Sequence, residues 1–225
     1  MKIDYRNPIP LFPLNSCVLM PNTTVPLHIF EMRYRMMTRT ALDGNGLIAM
    51  AVFQGDRWRQ DYEGNPPVRP CVCVGYILRH ECLPDGRYNI LLQGLNRARI
   101  VKELEPGTYR RAILEPLELE PPMELDLEPC RDRIEALLAD PLLKQWSQVQ
   151  AFNNWVSREI PTVAMLDQMV LALCRCTDER YRMLAEPCPC QRAEWLHGHL
   201  VKTRKTFYRA QSFGRCVNEQ GIALN

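Results

Sequence analysis

Ten cysteines are the residues of this sequence whose chemistry needs an explanation first. Six of them form Cys-x-Cys pairs: Cys71/Cys73, Cys174/Cys176 and Cys188/Cys190. Structural zinc sites usually place about two to four residues between paired cysteines, because that spacing lets both thiolates reach one ion. The arrangement with enough ligands for zinc joins Cys188 and Cys190 to His197 and His199. We expect mostly reduced thiols, and zinc at these four residues is the alternative.

Residues for catalysis do not occur in a recognisable constellation. None of the four serines lies in a Gly-x-Ser-x-Gly context, and the chain has no Gly-Lys pair and therefore no phosphate-binding loop. His28 and His80 have no evident nucleophile to activate. We therefore expect neither an enzyme nor a cofactor.

Basic and aromatic residues alternate near the C-terminus. From Arg192 to Arg215 there are six basic residues against one acid, Glu194. Cations hold nucleic-acid phosphates and aromatic rings stack on bases. The candidates for this chemistry are Lys202, Arg204, Lys205, Phe207, Tyr208 and Arg209. RNA binding by this segment is one functional hypothesis, although cations near a helix C-terminus also suit the helix dipole.

The composition is that of a globular protein in a reducing compartment. The chain has 225 residues, a net charge of +2 and 46% hydrophobic residues, which excludes a long multidomain machine. Its longest apolar run, Leu47 to Phe53, is too short to cross a bilayer, and residues 1–14 lack a signal-peptide pattern. We expect a cytoplasmic protein whose cysteines stay reduced.

Short strand patterns with turns between them fill the first half of the chain. They include Val72 to Cys82 and Arg87 to Gln93, which Leu83-Pro84-Asp85-Gly86 joins as a hairpin. Further strands fit Ala98 to Leu104 and Tyr109 to Leu117. The helical spacing of apolar residues predicts one helix within this half, from Phe30 to Leu42.

The pattern changes to helical periodicity after an acidic, proline-rich stretch. We predict an extended linker over residues 118–129, a helical bundle over 130–210 and a loose tail over 211–225. Residues 1–117 form the preceding strand-rich domain.

Three stretches of the strand-rich half carry a family resemblance. They are Ile9–Leu14 (IPLFPL) with Val18–Pro21 (VLMP), Pro26–Tyr34 (PLHIFEMRY), and Val74–Ile77 (VGYI) followed by Leu83–Ile100 (LPDGRYNILLQGLNRARI). They resemble the N-terminal, or substrate-binding, domain of Lon proteases. The resemblance implies an α+β fold in which a small PUA-like β-barrel with one inserted helix precedes a C-terminal α-helical bundle. It also implies a stand-alone domain, because the ATPase and protease motifs of Lon are missing from this sequence.

The first functional hypothesis is a noncatalytic module that binds polypeptides and is linked to protein quality control or proteolysis. We expect an apolar groove near the barrel–bundle junction, formed by Pro26, Phe30 and Tyr34 with Trp146 or Trp155 on the bundle. Its partners would be unfolded or extended polypeptides, or a protease or chaperone, and no membrane. The sequence leaves open the client, the oligomeric state and whether a separate protease takes part.

Overall fold

The structure is a computed structural model. It describes residues 3–62, 64–105, 107–117, 123–155, 159–212, 217–218 and 221–222, the last two pairs and residue 155 by their backbone alone. Contacts divide the chain into two compact units. The first is Met1–Glu120 with Cys176–Pro187, and the second is Pro121–Arg175 with Cys188–Asn225.

The first unit contains a six-stranded sheet. Two of its helices lie in connections between strands, and a third packs on the sheet. Its elements are β1 Ile9–Leu14, β2 Thr24–Ile29, α1 Met32–Asp43, β3 Leu47–Val52, a 3₁₀ helix at Arg57–Arg59, β4 Cys71–Cys82, β5 Tyr88–Glu103, β6 Arg111–Pro116 and α5 Thr177–Ala185. The predicted helix between the second and third strands is therefore present, two residues shorter at its start than expected.

The sheet closes on itself. Its strand order is β2-β5-β4-β3-β1-β6, and β6 also pairs with β5, so that five strands form a ring and β2 lies outside it. Only β1 and β3 run parallel among these pairs. Since β2 pairs with β5 and with no other strand of the described ranges, its second edge is open.

One long strand makes this closure possible. The sequence predicts two strands around residues 93–98, whereas β5 runs without a break over 16 residues. Gly94 lies within this strand. A larger residue would not fit there, because a Cβ atom would come within 2.1 Å of the carbonyl oxygen of Met20. The first half of β5 pairs with β2, the second half pairs with β6, and β4 follows both halves.

The core of the first unit lies inside the ring of strands. All six residues of β3 are buried, which its continuous apolar run predicts. Residues from the surrounding strands complete the core: Ile9, Leu11, Val72, Val74, Ala98, Ala112 and Leu114.

Helix α5 packs on β4, although the sequence places it in the C-terminal bundle. The backbone N–H of Cys71 donates to the Tyr181 hydroxyl at 2.9 Å. The Arg69 guanidinium lies 4.6 Å from the centre of the Tyr181 ring and pairs with Asp178. Burial raises the pKa of Tyr181 to about 12, so this hydroxyl stays protonated at neutral pH.

The second unit is helical. Its elements are α2 Glu124–Leu138, a 3₁₀ helix at Leu143–Gln145, α3 Ser147–Trp155, α4 Thr162–Leu173, α6 Pro189–Ser212 and the short strands β7 Val217–Asn218 and β8 Gly221–Ile222. The two strands pair with each other inside the segment expected to be a loose tail. None of the helices in the described part of the chain is long and apolar enough to cross a membrane.

Residues 124–129 are helical, although the sequence predicts an extended linker there. The acidic residues Glu124 and Asp126 occupy the first turn of α2, where carboxylates complement the helix dipole. The Glu124 carboxylate also accepts from the backbone N–H of Thr162 at 2.9 Å, at the start of α4. Pro129 lies within α2. The prediction of an extended linker failed for these residues because a proline-rich composition does not prevent a helix whose first-turn carboxylates have hydrogen-bond partners.

Replacing Tyr181 with phenylalanine should destabilise the first unit. The buried N–H of Cys71 would lose its acceptor, and an unsatisfied buried donor costs about 1–3 kcal/mol. We expect the free energy of unfolding in urea to fall by about this amount. Tyr208→Phe is the matched control, because Tyr208 is exposed and the change should stay within about 0.5 kcal/mol. Equal stability of both variants would contradict a structural role for the Tyr181 hydroxyl.

Candidate functional site

Two of the three sequence-predicted site residues of the first unit are exposed. Pro26 lies on the open strand β2, and Phe30, which follows that strand, is 61% exposed. Tyr34 is instead buried in α1, with its ring centre 4.5 Å from that of Phe12. Burial raises the pKa of the Tyr34 hydroxyl. The ring of Tyr34 therefore packs against Phe12 and does not share the exposed position of Phe30.

The two tryptophans of the prediction lie in the second unit. Trp146 is buried, and its ring meets that of Phe207 edge-to-face at 6.0 Å. Its ring is thus engaged in the core and not offered to a ligand. Trp155 ends α3, and its side chain lies outside the described residues.

Phe30 is joined by two methionines that sequence reasoning missed. Met32 is 63% exposed, and Met36 is exposed one helical turn further along α1. The buried face of this helix is formed by other residues, namely Tyr34, Met37, Thr38 and Ala41. We call Phe30, Met32 and Met36 together the apolar surface. The signal in the sequence was present, because both methionines fall outside the apolar stripe that predicts the helix.

A cavity of about 570 Å³ lies beside β2. Its lining comes from three neighbouring strands: Pro26, Leu27, His28, Arg79, His80, Glu81, Asn89, Ile90 and Leu91. The ring of His28, which lines the cavity, stacks on that of Phe30 with centres 6.2 Å apart, so Phe30 lies next to one wall of the cavity. The first unit therefore combines a cavity of mixed apolar and polar lining with the exposed side chain of Phe30 beside it.

The open edge of β2 offers few backbone donors. The N–H of Gly94 donates to the carbonyl of Thr23 at 2.8 Å. Since backbone groups of alternate residues in an antiparallel strand point to opposite sides, those of Thr24, Pro26 and His28 point away from β5, toward the open edge. Pro26 has no N–H, and proline on an edge strand limits pairing with another strand. Pro26 therefore interrupts the row of backbone donors at this edge, between Thr24 and His28.

A chain of polar contacts fixes His28. Asn89 donates through Nδ2 to Glu81 at 3.0 Å, so its Oδ1 is the acceptor that lies 2.8 Å from His28 Nδ1. Arg87 Nη1 lies 3.3 Å from His28 Nε2. A ring proton on Nδ1 fits both contacts, because Nδ1 then donates to Asn89 and Nε2 accepts from Arg87. Three strands are held together at this end of the cavity.

The tip of the β4–β5 hairpin is tied to α1. Arg35 donates to the carbonyl oxygen of Asp85 at 3.1 Å. Gly86 has a φ of 78°, a conformation that side chains disfavour, and a Cβ atom there would lie 2.1 Å from the Arg35 guanidinium. Hydrogen bonds from Arg87 lower the pKa of Asp85 to about 2.

A second cavity of about 500 Å³ lies elsewhere on the first unit. Arg33 lies between the rings of Tyr34 and Tyr62, at 4.7 and 4.6 Å from their centres. Glu31 accepts from Arg33 Nε at 3.0 Å and from the Tyr62 hydroxyl at 2.7 Å. Glu103 similarly receives two hydrogen bonds from Arg110. Each guanidinium is balanced by a carboxylate, so this cavity offers little net charge.

The predicted nucleic-acid residues are all on α6. Phe207 is only 7% exposed because it packs against Trp146, which excludes it as a platform for bases. The other five residues are exposed: Lys202, Arg204, Lys205, Tyr208 and Arg209.

The four residues of the zinc alternative do not converge. Cys190 and His197 lie on α6 about 10 Å apart along the helix axis, a separation that exceeds the span of one zinc ion's ligands. His199 stacks on Trp195 with ring centres 5.2 Å apart. In the described ranges, no three side chains of metal-binding type form a group that could hold an ion. Burial, followed by the nearby thiols of Cys130 and Cys188, raises the pKa of Cys190, which disfavours its thiolate.

Two solved N-terminal domains of Lon proteins have a similar fold. The N-terminal domain of the Mycobacterium avium complex Lon protease aligns with a TM-score of 0.66 and 15% identity over 87% of this chain and 98% of that one. A Lon N-terminal domain protein from Xanthomonas campestris aligns with a TM-score of 0.56 and 21% identity over 84% and 96%. At these identities the likeness concerns the fold.

The family model of the ATP-dependent protease La (LON) substrate-binding domain matches residues 8–202. This chain belongs to that family. Among curated relatives, the Lon protease of Dictyoglomus thermophilum is 29% identical over 117 residues, which are 51% of this chain and 14% of that protein. The Lon protease of Trichlorobacter lovleyi is 28% identical over 155 residues, or 69% and 18%. The chain thus spans less than a fifth of these relatives, in the part that recognises substrates and not the catalytic part.

The Asp85 carboxyl should titrate near pH 2. Because its folded pKa is depressed, the Arg87 pair stabilises the hairpin tip above about pH 4, and that contribution is lost as the pH falls toward 2. Carboxyl chemical shifts measured by NMR between pH 1.5 and 6 check this midpoint. In Arg87→Gln the midpoint should rise toward 3.8, the ordinary value. An unchanged midpoint in that variant would refute the assignment of Arg87 as the cause.

Proposed function

We propose that this protein is a noncatalytic module that binds unfolded or extended polypeptides through the apolar surface and the cavity beside β2. The observation that carries the proposal is the exposure of Phe30, Met32 and Met36, with Phe30 stacked on a residue that lines the cavity beside β2. Membership of a substrate-binding domain family supports it.

The side chains of the apolar surface suit sequence-tolerant binding. Methionine is unbranched and polarisable, so it adapts to different apolar partners, and an aromatic ring such as Phe30 adds a large buried area. Removing about 100 Å² of apolar area from water contributes roughly 2.5 kcal/mol. A few such contacts give the weak, reversible affinity that recognition of many different clients requires.

The weak pairing capacity of the β2 edge supports the same mode. Pro26 removes one backbone donor from the middle of this edge, so a client does not simply extend the sheet. Selection would then depend on apolar side chains of the client and not on its backbone. Unfolded polypeptides expose such side chains, whereas folded proteins bury them.

The scaffold of this site fits a PUA-like barrel. The closed ring of five strands and the helix α1 inserted between β2 and β3 support that interpretation, and the helices of the second unit support a C-terminal bundle. We further propose a role in protein quality control in the cytoplasm, with a protease or chaperone as partner. The support is that the curated relatives are named Lon protease.

Removing the apolar surface should weaken polypeptide binding. We expect Phe30→Ser with Met32→Ser to lower the affinity for a fluorescein-labelled, permanently unfolded model polypeptide at least about tenfold, since each buried apolar side chain contributes roughly 1.5–3 kcal/mol. Fluorescence anisotropy with the full chain measures the affinity. Both side chains are exposed, so the variant should fold normally, and circular dichroism verifies this.

The matched control changes two other exposed apolar residues, Val101→Ser with Leu125→Ser. This control should bind like the parent protein. If it loses as much affinity as the Phe30 and Met32 variant, binding is a general property of exposed apolar area and the proposed site is wrong. Absence of binding to any unfolded polypeptide by the parent protein would also overturn the proposal.

A further inference from the structure

The last three turns of α6 carry a stripe of positive charge for which no ion pair is found among the described residues. Lys202, Lys205 and Arg209 follow one another at intervals of three and four residues, which places them on one face of the helix. Their side chains are exposed. The acid of this helix, Glu194, is two turns earlier and pairs with Arg133. Residues at these intervals have Cβ atoms about 5–6 Å apart, so the three cationic side chains start from neighbouring positions.

A cavity of about 450 Å³ adjoins this stripe within the second unit. Its lining comes from α6 and from the segment after α2: Asp140, Pro141, Leu142, Arg204, Lys205, Tyr208 and Arg209. Its carboxylate, Asp140, is already engaged, because it accepts from the N–H of Leu142 at 2.9 Å and pairs with Arg204 at 3.4 Å. The Lys205 and Arg209 charges therefore dominate the cavity.

One aromatic ring stands among these cations. Tyr208 is 65% exposed and lines the cavity. Its neighbour Phe207 is buried against Trp146, with ring centres 6.0 Å apart, and this contact anchors the helix at that point. Because successive residues of a helix are turned by about 100°, anchoring Phe207 directs Tyr208 away from the core.

We propose that this basic face of α6, defined as Lys202, Lys205, Tyr208 and Arg209, binds single-stranded nucleic acid. The cations contact successive phosphates of the backbone, and the ring of Tyr208 stacks on an unpaired base in the cavity. Base stacking and phosphate contacts carry no requirement for sequence, so binding is sequence-tolerant. RNA and single-stranded DNA share this chemistry.

The aromatic ring favours a nucleic acid over other polyanions. An acidic polypeptide would use the cations but gain nothing from a ring beside an empty concave surface. An anionic membrane would require several large apolar side chains that insert beside the cations, whereas the apolar residues of the cavity lining besides the Tyr208 ring are Pro141 and Leu142. A base needs one exposed π-face and a recess, which Tyr208 and the cavity supply.

Fluorescence anisotropy with labelled twelve-nucleotide oligo(U) and oligo(dT) tests the proposal on the full chain. Three cations that contact phosphates predict that the logarithm of the association constant falls with the logarithm of salt concentration with a slope of about −2. In Lys205→Gln with Arg209→Gln the slope should shrink to about −0.7. Lys102→Gln with Arg111→Gln, two exposed cations of the first unit, is the matched control and should keep the parent slope.

The ring of Tyr208 gives the second readout. Tyr208→Ala should weaken oligonucleotide binding about 5- to 100-fold at constant salt, whereas Tyr208→Phe should bind like the parent. Equal affinities of the alanine and phenylalanine variants would overturn the stacking step. Binding of polyglutamate or of phosphatidylserine vesicles with the same affinity as oligo(U), or no binding of either oligonucleotide at low salt, would overturn the proposal. Polypeptide binding by the apolar surface is independent of all these outcomes.

Discussion

The fold of the first unit depends on one long strand that pairs on both sides along its length. The first half of β5 pairs with β2 and β4, and its second half pairs with β4 and β6. A break in β5 would therefore open the ring of strands. Such a strand must bend, and the register shifts near Gly75 and Val101 with the close approach at Gly94 allow it to bend. The closure buries the apolar face of every strand in the ring.

This closure also determines what remains exposed. Strand β2 is held by β5 alone in the described ranges, so it becomes the open margin of the sheet, and α1 follows it directly. The core takes Tyr34 and Met37 from α1 and leaves Met32 and Met36 outside. The apolar surface is thus a direct consequence of which helical face the sheet can bury. The contacts among His28, Asn89 and Arg87 hold this margin in place.

Much of the fold was predictable because local patterns agree with the tertiary structure. The continuous apolar run of β3, the hairpin at Asp85-Gly86 and the stripe of α1 each require one kind of element. The errors lie where distant partners decide. The Glu124 carboxylate at the start of α2 accepts a hydrogen bond from the N–H of Thr162, and the Tyr181 hydroxyl of α5 accepts one from the N–H of Cys71. No local pattern contains either contact.

The sequence by itself determined the family, the α+β class and the two candidate regions, because signature residues and charge runs are local properties. Tertiary structure alone decided which members of each region face solvent. Tyr34 and Phe207 were turned inward by Phe12 and Trp146, while Phe30 and Tyr208 were left outside. Burying an aromatic side chain against a partner ring lowers the free energy of the folded state. Only the folded chain brings those partner rings together.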